Sequence, residues 1–497
     1  MPTEWDFPRL RTSFFFQNDQ HDSTADAQEA QGMFPPPPEF FDVKFYPYNP
    51  PGAPPIFAAT SKKHVVICRL SQPPDKETNP CEVIRVIRDD DESAKNCSSC
   101  WSRNPETGRA WFCIAGNDAK IKIYDVKEGK LVNTLVGHGA GINDLATSPA
   151  NPLIIASASE DTTVRIWSLA AVHAQQPCLC LLGGEGHAWD LLSVAWHDTG
   201  RYVLSAGHDQ VINMWAIPEL PEQHVEVPFI IHYPHFSSSE VHSHLVDCVA
   251  FYGDLILSRA CHEDVIVLWR IEGFSSDDPV PTPEDAPTTY DPAKQTRSGW
   301  TPTLSPDRPV HFTRLLQFHT PDCGRQFFMR FRMFHAPGQH PILAFANAKS
   351  KTFFWDMSRF LGYSGYMESL RDAQASRQAA PPAKPSWLVV KRAKKGDAAS
   401  SLRGGADKDS MVSASPDPDP GLWYDSKTLA HWAELYGMSS SHAMVEPHKT
   451  VATALDGTFV GRQVGWSPGG EWCVVVGNAN RALIYQRWAG GVPGGPA

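Results

Sequence analysis

Short apolar and β-branched runs recur along the chain, separated by turns rich in polar residues, Gly and Pro. The runs VVICRL, IKIYDV, VIVLWRI, TFFWDM and ALIYQRW have the length and composition of buried strands. Two further runs end at Trp167 and Trp215, which brings the number of such strands to seven. Repeated short strands bounded by turns predict an all-β protein built from small sheets.

One pattern occurs twice between Val136 and Trp215. Each copy begins with a Gly-His pair, continues through an apolar run to a Ser-x-x-x-Asp element, and ends on a Trp six residues after the Asp. The corresponding residues are His138, Ser157, Asp161 and Trp167 in the first copy, and His187, Ser205, Asp209 and Trp215 in the second. The pattern resembles the WD40 blade signature, and with the seven closing strands it predicts a seven-bladed β-propeller.

These four residue types are expected to form a buried hydrogen-bond relay within each blade. Each side chain satisfies a donor or an acceptor of another, so that polar atoms are buried without loss of hydrogen bonds. A His-Asp pair also resembles a catalytic dyad. Because the same residues recur at the same spacing in adjacent units, we interpret the relay as structural.

Composition limits the possible functions. The net charge of −11 and the pI near 6.0 argue against a surface devoted to nucleic acid. The 11 cysteines lack zinc-site spacing, and the CxxC of Cys97 and Cys100 is expected to be reduced. No metal site or cofactor is predicted, and no apolar run of about 18 residues suggests a membrane span. The chain is expected to be soluble and intracellular.

The predicted domain is a propeller over residues 40–490, preceded by a tail of residues 1–39. Leu10 to Phe16 is β-prone and is expected to close the ring as the outer strand of the last blade, the alternative being an unstructured tail. Two interruptions are predicted in the C-terminal half. Residues 274–307 are expected to be a disordered linker rich in Pro, Ser, Thr and Asp, and residues 357–446 a partly helical, partly disordered insertion.

The insertion contains two helix-like pieces, YMESLRDAQASRQAA and KTLAHWAELYG. In the second, one predicted helical face carries Leu429, Trp432, Ala433 and Tyr436. This face either packs back on the propeller or docks a partner. Between the two pieces lies a basic cluster with the composition of a nuclear localisation signal: Lys391, Arg392, Lys394 and Lys395.

No nucleophile elbow, phosphate loop, metalloprotease motif or paired carboxylates is found. The residues alone therefore predict a non-catalytic interaction scaffold. Several separated segments are more specific: GGEGHAWDLLSVAW, IIHYPHFSSSEVHSHLVDCVAFYGDLILSRAC and QFFMRFRMF. Together with the two repeats they resemble the EED (extra sex combs) family of Polycomb repressive complex 2 subunits.

The resemblance implies a nuclear reader and scaffold of a histone H3 methyltransferase complex that maintains gene silencing. The implied partners are the SET-domain methyltransferase subunit, the zinc-finger Polycomb subunit of the same complex, and the trimethylated histone H3 tail. The nucleosome would be contacted indirectly. Binding of the methylated tail would stimulate the methyltransferase.

The family's trimethyl-lysine cage is carried over residue by residue. The matching aromatics are Phe45 in FFDVKFYP and the pair Phe327 and Phe328 in QFFMRF, while Cys97 stands where the family has a Tyr. Asn143 and Arg330 match positions that line the peptide pocket. A quaternary ammonium is held by ring faces through cation–π attraction. If Phe327 to Phe331 is a strand, Phe327, Met329 and Phe331 lie on one face, and Phe328 and Arg330 on the other.

Cys97 leaves two alternatives open. The chain either reads the mark with a substitute wall, for which Tyr46 and Tyr48 are candidates, or is a scaffold whose reader site has lapsed. A third interpretation is a generic WD40 adaptor, which requires the similarity of these segments to the EED family to be accidental.

Overall fold

The computed structural model describes residues 6–17, 39–72, 78–288, 295–304, 309–378, 380–390, 423–438, 440–455 and 457–488. Within these ranges the apolar runs form strands, and the strands form seven sheets of four or five strands and one two-stranded hairpin. The innermost strands of consecutive sheets contact one another around a closed ring. The sheets are therefore the blades of a seven-bladed β-propeller, as the repeats predict.

The first strand of the described residues is β1 (Arg9–Phe15). Blades 1 and 2 consist of β2 (Phe40–Phe45), β3 (Ile56–Ser61), β4 (His64–Leu70) and β5 (Cys81–Arg88), followed by β6 (Asn96–Arg103), β7 (Ala110–Gly116), β8 (Lys120–Asp125) and β9 (Lys130–Val136). Blade 3 consists of β10 (Ile142–Thr147), β11 (Ile154–Ser159), β12 (Val164–Ser168), β13 (Cys178–Leu182) and β17 (Phe229–Ile231). Blade 4 consists of β14 (Leu191–Trp196), β15 (Tyr202–Gly207), β16 (Ile212–Ala216), β18 (Phe236–Ser238) and β22 (Thr296–Ser298).

Blade 5 consists of β19 (Val246–Tyr252), β20 (Leu255–Ala260), β21 (Val265–Ile271), β25 (Phe312–His319) and β29 (Met444–Val445). Blade 6 consists of β26 (Arg332–Phe334), β27 (Ile342–Ala346), β28 (Lys351–Asp356) and β30 (Lys449–Ala452). Blade 7 consists of β31 (Gly461–Trp466), β32 (Trp472–Gly477), β33 (Arg481–Gln486) and β1. The hairpin is β23 (Thr303–Leu304) with β24 (Pro309–Val310). The helices within the described ranges are α1 (Met357–Ala375) and α2 (Ser426–Tyr436), with 3-10 turns at Ala171–His173 and Pro283–Asp285.

The N-terminal strand joins the end of the chain. β1 pairs antiparallel with β33, so that Leu10 lies opposite Tyr485 and Phe15 opposite Arg481. Phe14 also packs edge-on against Phe40 of blade 1, with 6.5 Å between ring centroids. The strand is thus the outer strand of the last blade, the position in which the sequence places it.

The His-Ser-Asp-Trp relay is present in both repeats. In blade 3, His138 donates through Nδ1 to Asp161 (2.8 Å), and the Ser157 hydroxyl donates to His138 Nε2 (2.7 Å) and accepts from the Trp167 indole (2.8 Å). Blade 4 contains the same relay. His187 donates through Nδ1 to Asp209 at 3.0 Å, and the Ser205 hydroxyl donates to His187 Nε2 at 2.8 Å and accepts from the Trp215 indole at 2.8 Å.

Charge and burial explain why the relay is structural. Burial lowers the pKa of His138, and its hydrogen bond to Asp161 offsets this only in part, so that the ring is neutral near pH 7. Burial alone raises the pKa of Asp161, but the interactions with His138, Thr163 and the Gly139 amide together outweigh burial and hold that pKa well below its usual range. An ionised Asp and a neutral His fix the direction of every hydrogen bond in the relay.

The segment 274–307 is not a disordered linker over the residues that the structure describes, and that prediction is wrong. Phe274 and Trp300 stack edge-on with centroids 5.2 Å apart, and Phe274 also contacts Tyr202 of blade 4 at 5.0 Å. The strand β22 pairs with β18 at the outer side of the same blade. Burial of these aromatic rings outweighs the disorder-prone composition around them.

The first helix of the insertion begins earlier than predicted, at Met357 directly after β28. The Asp356 carboxylate accepts a hydrogen bond from the Ser358 amide and so caps the N-terminus of this helix. In α2, Trp432 (1% exposed) and Tyr436 (5%) are buried in a cluster with Tyr363 of α1 and with Trp387. The predicted face of α2 therefore packs back against the insertion's own first helix, although Ala433 is exposed. The basic cluster Lys391 to Lys395 lies outside the described residues.

None of the described helices is both long and apolar enough to cross a bilayer.

Candidate functional site

The inner strands begin at one mouth of the central channel, which we call the top mouth, and six of them begin with a β-bulge. The residue between the two flanking register partners is unpaired, so a bulge re-aims its side chain. These bulge residues are Phe41, Cys97, Asn143, Leu192, Asp247 and Arg462. Because the inner strands form a closed ring, the bulge residues surround the top mouth.

Blade 6 contributes Arg330, whose side chain crosses the channel just below this ring. Its guanidinium donates to the carbonyls of Asn143 (2.9 Å) and Leu192 (2.7 Å) and to the Asp144 carboxylate (3.1 Å). Burial alone lowers the pKa of Arg330, but Asp144 and Asp42 together raise it above its usual value. A charged arginine whose two terminal nitrogens donate to Asp144 and to two carbonyls therefore forms the floor of the mouth.

Phe327 and Phe328 lie beside this floor in the loop before β26. Their rings are 5.0 Å apart at a 39° tilt, and the Phe328 ring lies over the Arg330 guanidinium at 5.3 Å. Phe327 is 43% exposed. The predicted strand alternation from Phe327 to Phe331 is wrong, because β26 begins only at Arg332 and Phe328 has a left-handed φ of 55°. This turn brings the two rings together, whereas alternation would have placed them on opposite faces.

Phe45 does not join them, so its assignment to the cage is corrected. It lies at the far end of β2, 8% exposed, with its ring 5.4 Å from that of Phe57. Phe45 follows the bulge residue Phe41 by four positions, as Trp101 follows Cys97 and Trp466 follows Arg462. It is therefore a strand-end residue at the opposite mouth.

Phe41 is the site residue that the family match overlooked. It is half-buried, and it holds in blade 1 the bulge position that Cys97 and Asn143 hold in blades 2 and 3. Aligning the inner strands of this chain on their closing aromatics, Phe45 with Trp101 and Trp466, would have selected Phe41 from the sequence.

The loop of Phe327 is anchored to the strand that carries Phe41. Arg462 Nη1 donates to the Phe327 carbonyl at 2.8 Å, and the same guanidinium forms an ion pair with Glu39 at 3.2 Å. Glu39 lies two residues before Phe41. Arg462 therefore ties the Phe327 loop to the residue that precedes β2.

Cys97 and Asn143 are the bulge residues of blades 2 and 3, and their side chains differ in polarity and in hydrogen bonding. The Cys97 thiol is half-buried and donates weakly to the Ile142 carbonyl at 3.5 Å. Burial raises its pKa to about 12, so it remains a neutral thiol near pH 7. The Asn143 amide is 8% exposed and donates to the Leu191 carbonyl at 2.9 Å. Cys97 thus offers a small apolar wall, whereas Asn143 is held by the fold.

Tyr46 and Tyr48, the predicted substitute walls, do not reach the top mouth. Their rings contact each other at 5.4 Å, and Tyr46 also contacts Trp101 at 5.0 Å, at the opposite mouth. That mouth opens into a cavity of about 610 Å³. Its walls include Tyr48, Trp196, Tyr252, Arg332 and Met333.

The top mouth has the chemistry of a site for a quaternary ammonium. Ring faces attract such a cation and exclude water, and they require no hydrogen bond from it. Where the chain is described, no group of three or more His, Cys, Asp or Glu side chains is placed to hold a metal ion.

A model of the WD domain, G-beta repeat matches residues 129–168 and 177–216. The Polycomb protein EED of Chaetomium thermophilum is 59% identical over a match covering 98% of this chain and 96% of that protein. The Polycomb protein esc of Drosophila melanogaster is 28% identical over 46% of this chain and 56% of its own.

Solved structures agree with these relatives. The crystal structure of the Chaetomium thermophilum polycomb repressive complex 2 contains a chain that is 62% identical, with a TM-score of 0.87 and 98% of both chains covered. A structure of ctPRC2 in complex with H3K27me3 and H3K27M contains a chain that is 62% identical, with a TM-score of 0.86 and the same coverage. The identity along nearly the whole chain confirms the resemblance, and the chain belongs to the EED family of Polycomb WD40 proteins.

Proposed function

We propose that this chain binds a trimethyl-lysine of the histone H3 tail at the top mouth and holds the SET-domain methyltransferase subunit at the opposite side. As a member of the EED family it is a non-catalytic WD40 subunit, and the catalytic activity of the complex resides in another subunit. The observation that carries the reader proposal is the contact of Phe327 with Phe328 beside the mouth of the channel at which the bulge residue Phe41 lies.

The related chain in ctPRC2 was solved in a complex with H3K27me3. Three ring faces suit that ligand, since each cation–π contact contributes about 0.5 to 2 kcal/mol. Binding of the mark would stimulate methylation, so that methylated chromatin promotes further methylation and silencing in the nucleus. The nucleosome is then contacted indirectly, through its tail.

Cys97 changes the strength of this site and leaves its ligand class the same. A neutral thiol is apolar but lacks a ring face, so one cation–π contact is missing compared with an aromatic residue at this position. The second candidate function, a scaffold with a lapsed reader, rests on this one residue. The presence of Phe41 favours the reader, because it keeps three phenylalanines at the mouth.

The opposite mouth suits the methyltransferase subunit. Its cavity combines aromatic walls with Arg332, a composition typical of grooves that hold an extended or helical segment. The zinc-finger Polycomb subunit would join the same assembly.

Calorimetric titration with trimethylated and unmodified H3 tail peptides tests the reader proposal. We expect methyl-dependent binding by the wild type, a five- to thirtyfold weaker affinity in Phe328→Ala (about 1 to 2 kcal/mol), and tighter binding in Cys97→Tyr. Leu304→Ala, at a site 85% exposed on the hairpin, is the control and should bind as the wild type does. Binding in Cys97→Tyr alone would establish the lapsed reader instead.

A further inference from the structure

The loop that carries Phe327 and Phe328 is held by hydrogen bonds from the two neighbouring blades. From blade 7, the Arg462 guanidinium donates to the Phe327 carbonyl at 2.8 Å. From blade 5, the Asp247 carboxylate accepts from the Met329 amide at 3.2 Å. Phe328 lies between these two fixed points with a left-handed φ of 55°, which is unfavourable for a residue with a bulky side chain. The bonds on both sides therefore hold the backbone in this conformation.

Asp247 is itself held by a buried arginine. It is the bulge residue of blade 5, and Nη1 of Arg259 donates to both of its carboxylate oxygens, at 2.8 and 2.6 Å. Both residues are 0% exposed. The guanidinium also lies over the ring of Phe345 in blade 6, 5.3 Å from its centroid. Asp247 thus has a fixed orientation, with one oxygen directed at the Met329 amide.

The architecture of a blade does not require this ion pair. Blade 5 has a serine that accepts a hydrogen bond from its closing tryptophan, Ser258, as blades 3 and 4 do. The next residue in blade 5 is Arg259, whereas the next residue in blades 3 and 4 is an alanine, Ala158 or Ala206. A buried charge costs free energy unless it is paired and hydrogen-bonded. Arg259 is therefore explained by the carboxylate that it holds, and not by the packing of its own blade.

We infer that Asp247, held by Arg259, is a positioning residue of the top mouth. Because Asp247 is fully buried, it acts on the ligand only through the backbone turn at Phe328. Its hydrogen bond to Met329 fixes this turn before a ligand arrives, so that the two phenylalanine rings already lie side by side in the free chain. A site fixed in advance binds more tightly, because less ordering is required on binding. This inference rests on the proposed reader function.

Two double variants separate the hydrogen bond from the ion pair. Asp247→Ala with Arg259→Met removes the acceptor and leaves no buried charge unpaired, a kind of replacement that often preserves stability. Asp247→Asn with Arg259→Met also removes both charges but keeps an oxygen that accepts from the Met329 amide. In calorimetric titrations with a trimethylated H3 tail peptide, we expect the first variant to bind about five- to thirtyfold more weakly than the wild type, as if one ring face were lost. The second should bind within about threefold of the wild type.

Ser102→Ala is the matched control, because the Ser102 hydroxyl donates a buried hydrogen bond to the Pro152 carbonyl at 2.7 Å, away from the top mouth. It should lower the free energy of unfolding and leave the peptide affinity unchanged. The inference is overturned if the alanine double variant binds as the wild type does, or if the asparagine double variant is weakened equally. In those outcomes the reader function stands. If the wild type binds no trimethylated peptide, both proposals fail, which distinguishes the two results.

Hydrogen exchange of the wild-type chain without ligand tests the same inference without any substitution. The Met329 amide should exchange as slowly as the amides of the neighbouring strand β27, because its hydrogen bond to Asp247 is already present in the free chain. Exchange at the rate of an unprotected loop amide would show that the turn is not fixed in advance, and would overturn the inference even if the peptide binds.

Discussion

A one-residue bulge determines which aromatic side chain of β2 reaches the top mouth. Side chains of a regular strand alternate between two faces, and the register shift between Phe40 and Asp42 sets Phe41 apart from that alternation. Phe45, at the other end of the strand, packs on Phe57 in the core. We therefore propose Phe41 as the ligand-binding aromatic of β2, while Phe45 packs in the core.

Substitutions at these two positions should separate binding from stability. Phe41→Ala is expected to weaken the binding of the trimethylated peptide by about 1 to 2 kcal/mol, because one ring face is lost. Phe45→Leu should leave the affinity within about twofold of the wild type and lower the free energy of unfolding by about 1 kcal/mol, because it only repacks the core. Titration and urea unfolding measure the two quantities. Weaker binding in Phe45→Leu with no change in Phe41→Ala would restore the original assignment.

The residues at the top mouth differ in how far the sequence could place them. Trp101 fixes the register of Cys97, and QFFMRF identifies the Phe327–Phe328 pair, so both were found from the sequence alone. Phe41 could be found only by aligning the inner strands on their closing aromatics, whereas the left-handed φ of Phe328 has no sequence pattern of its own. The bond from Arg462 to the Phe327 carbonyl is a contact between blades that the sequence does not show.

The hydrogen-bond relay holds the strands of a blade together. Blade 5 contains a third relay, which the sequence pattern did not show. His242 bonds to Glu263 at 2.5 Å, Ser258 to His242 at 2.7 Å, and the Trp269 indole donates to Ser258 at 2.9 Å. Here the acid is a Glu, and it follows the Ser by five residues instead of four, so a search for Ser-x-x-x-Asp missed it. Burial alone raises the pKa of Glu263, but the interactions with His242 and Ser243 together outweigh burial and lower the pKa to about 2.

Because of Glu263, the free energy of unfolding is expected to depend on pH in the acidic range. Because the folded-state pKa of Glu263 lies below its unfolded value of 4.5, the stabilisation is present above pH 4.5 and is lost as the pH falls towards 2. Glu263→Gln should therefore be less stable than the wild type at pH 6, and the difference should shrink as the pH is lowered to 3. Urea unfolding at both pH values measures it. A difference that stays constant with pH would exclude the ionised relay.

The segment 274–307 shows where composition misleads. Its Pro, Ser, Thr and Asp content is typical of a linker, yet Phe274 and Trp300 anchor it to blade 4. The second helix of the insertion was found because its apolar residues recur at helical spacing. The start of α1 was missed because it is set by the preceding strand and the Asp356 cap.

In the whole molecule the two proposed binding functions lie at opposite ends of one channel. Arg330 and Asp144 lie between them: both belong to the floor of the top mouth and both also line the opposite cavity. The closed ring, completed by β1, holds the two mouths at a fixed separation. A substitution that affects one mouth only should therefore leave the other mouth able to bind.

Met333→Glu tests this separation, because Met333 lines the opposite cavity and is half-buried. A buried carboxylate in an apolar contact is strongly unfavourable. We expect this variant to lose co-purification with the methyltransferase subunit while it still binds the trimethylated peptide. Leu304→Glu on the exposed hairpin is the matched control and should retain both. Loss of peptide binding in Met333→Glu alone would show that the two mouths are not independent.

The most direct measurement is a crystal structure of this chain with a trimethylated H3 tail peptide. The account predicts the quaternary ammonium at the top mouth, within about 6 Å of the ring centroids of Phe41 and Phe328, above the Arg330 guanidinium. An ammonium bound in the cavity beside Phe45, or a peptide that leaves Phe41 and Phe328 uncontacted, would contradict it.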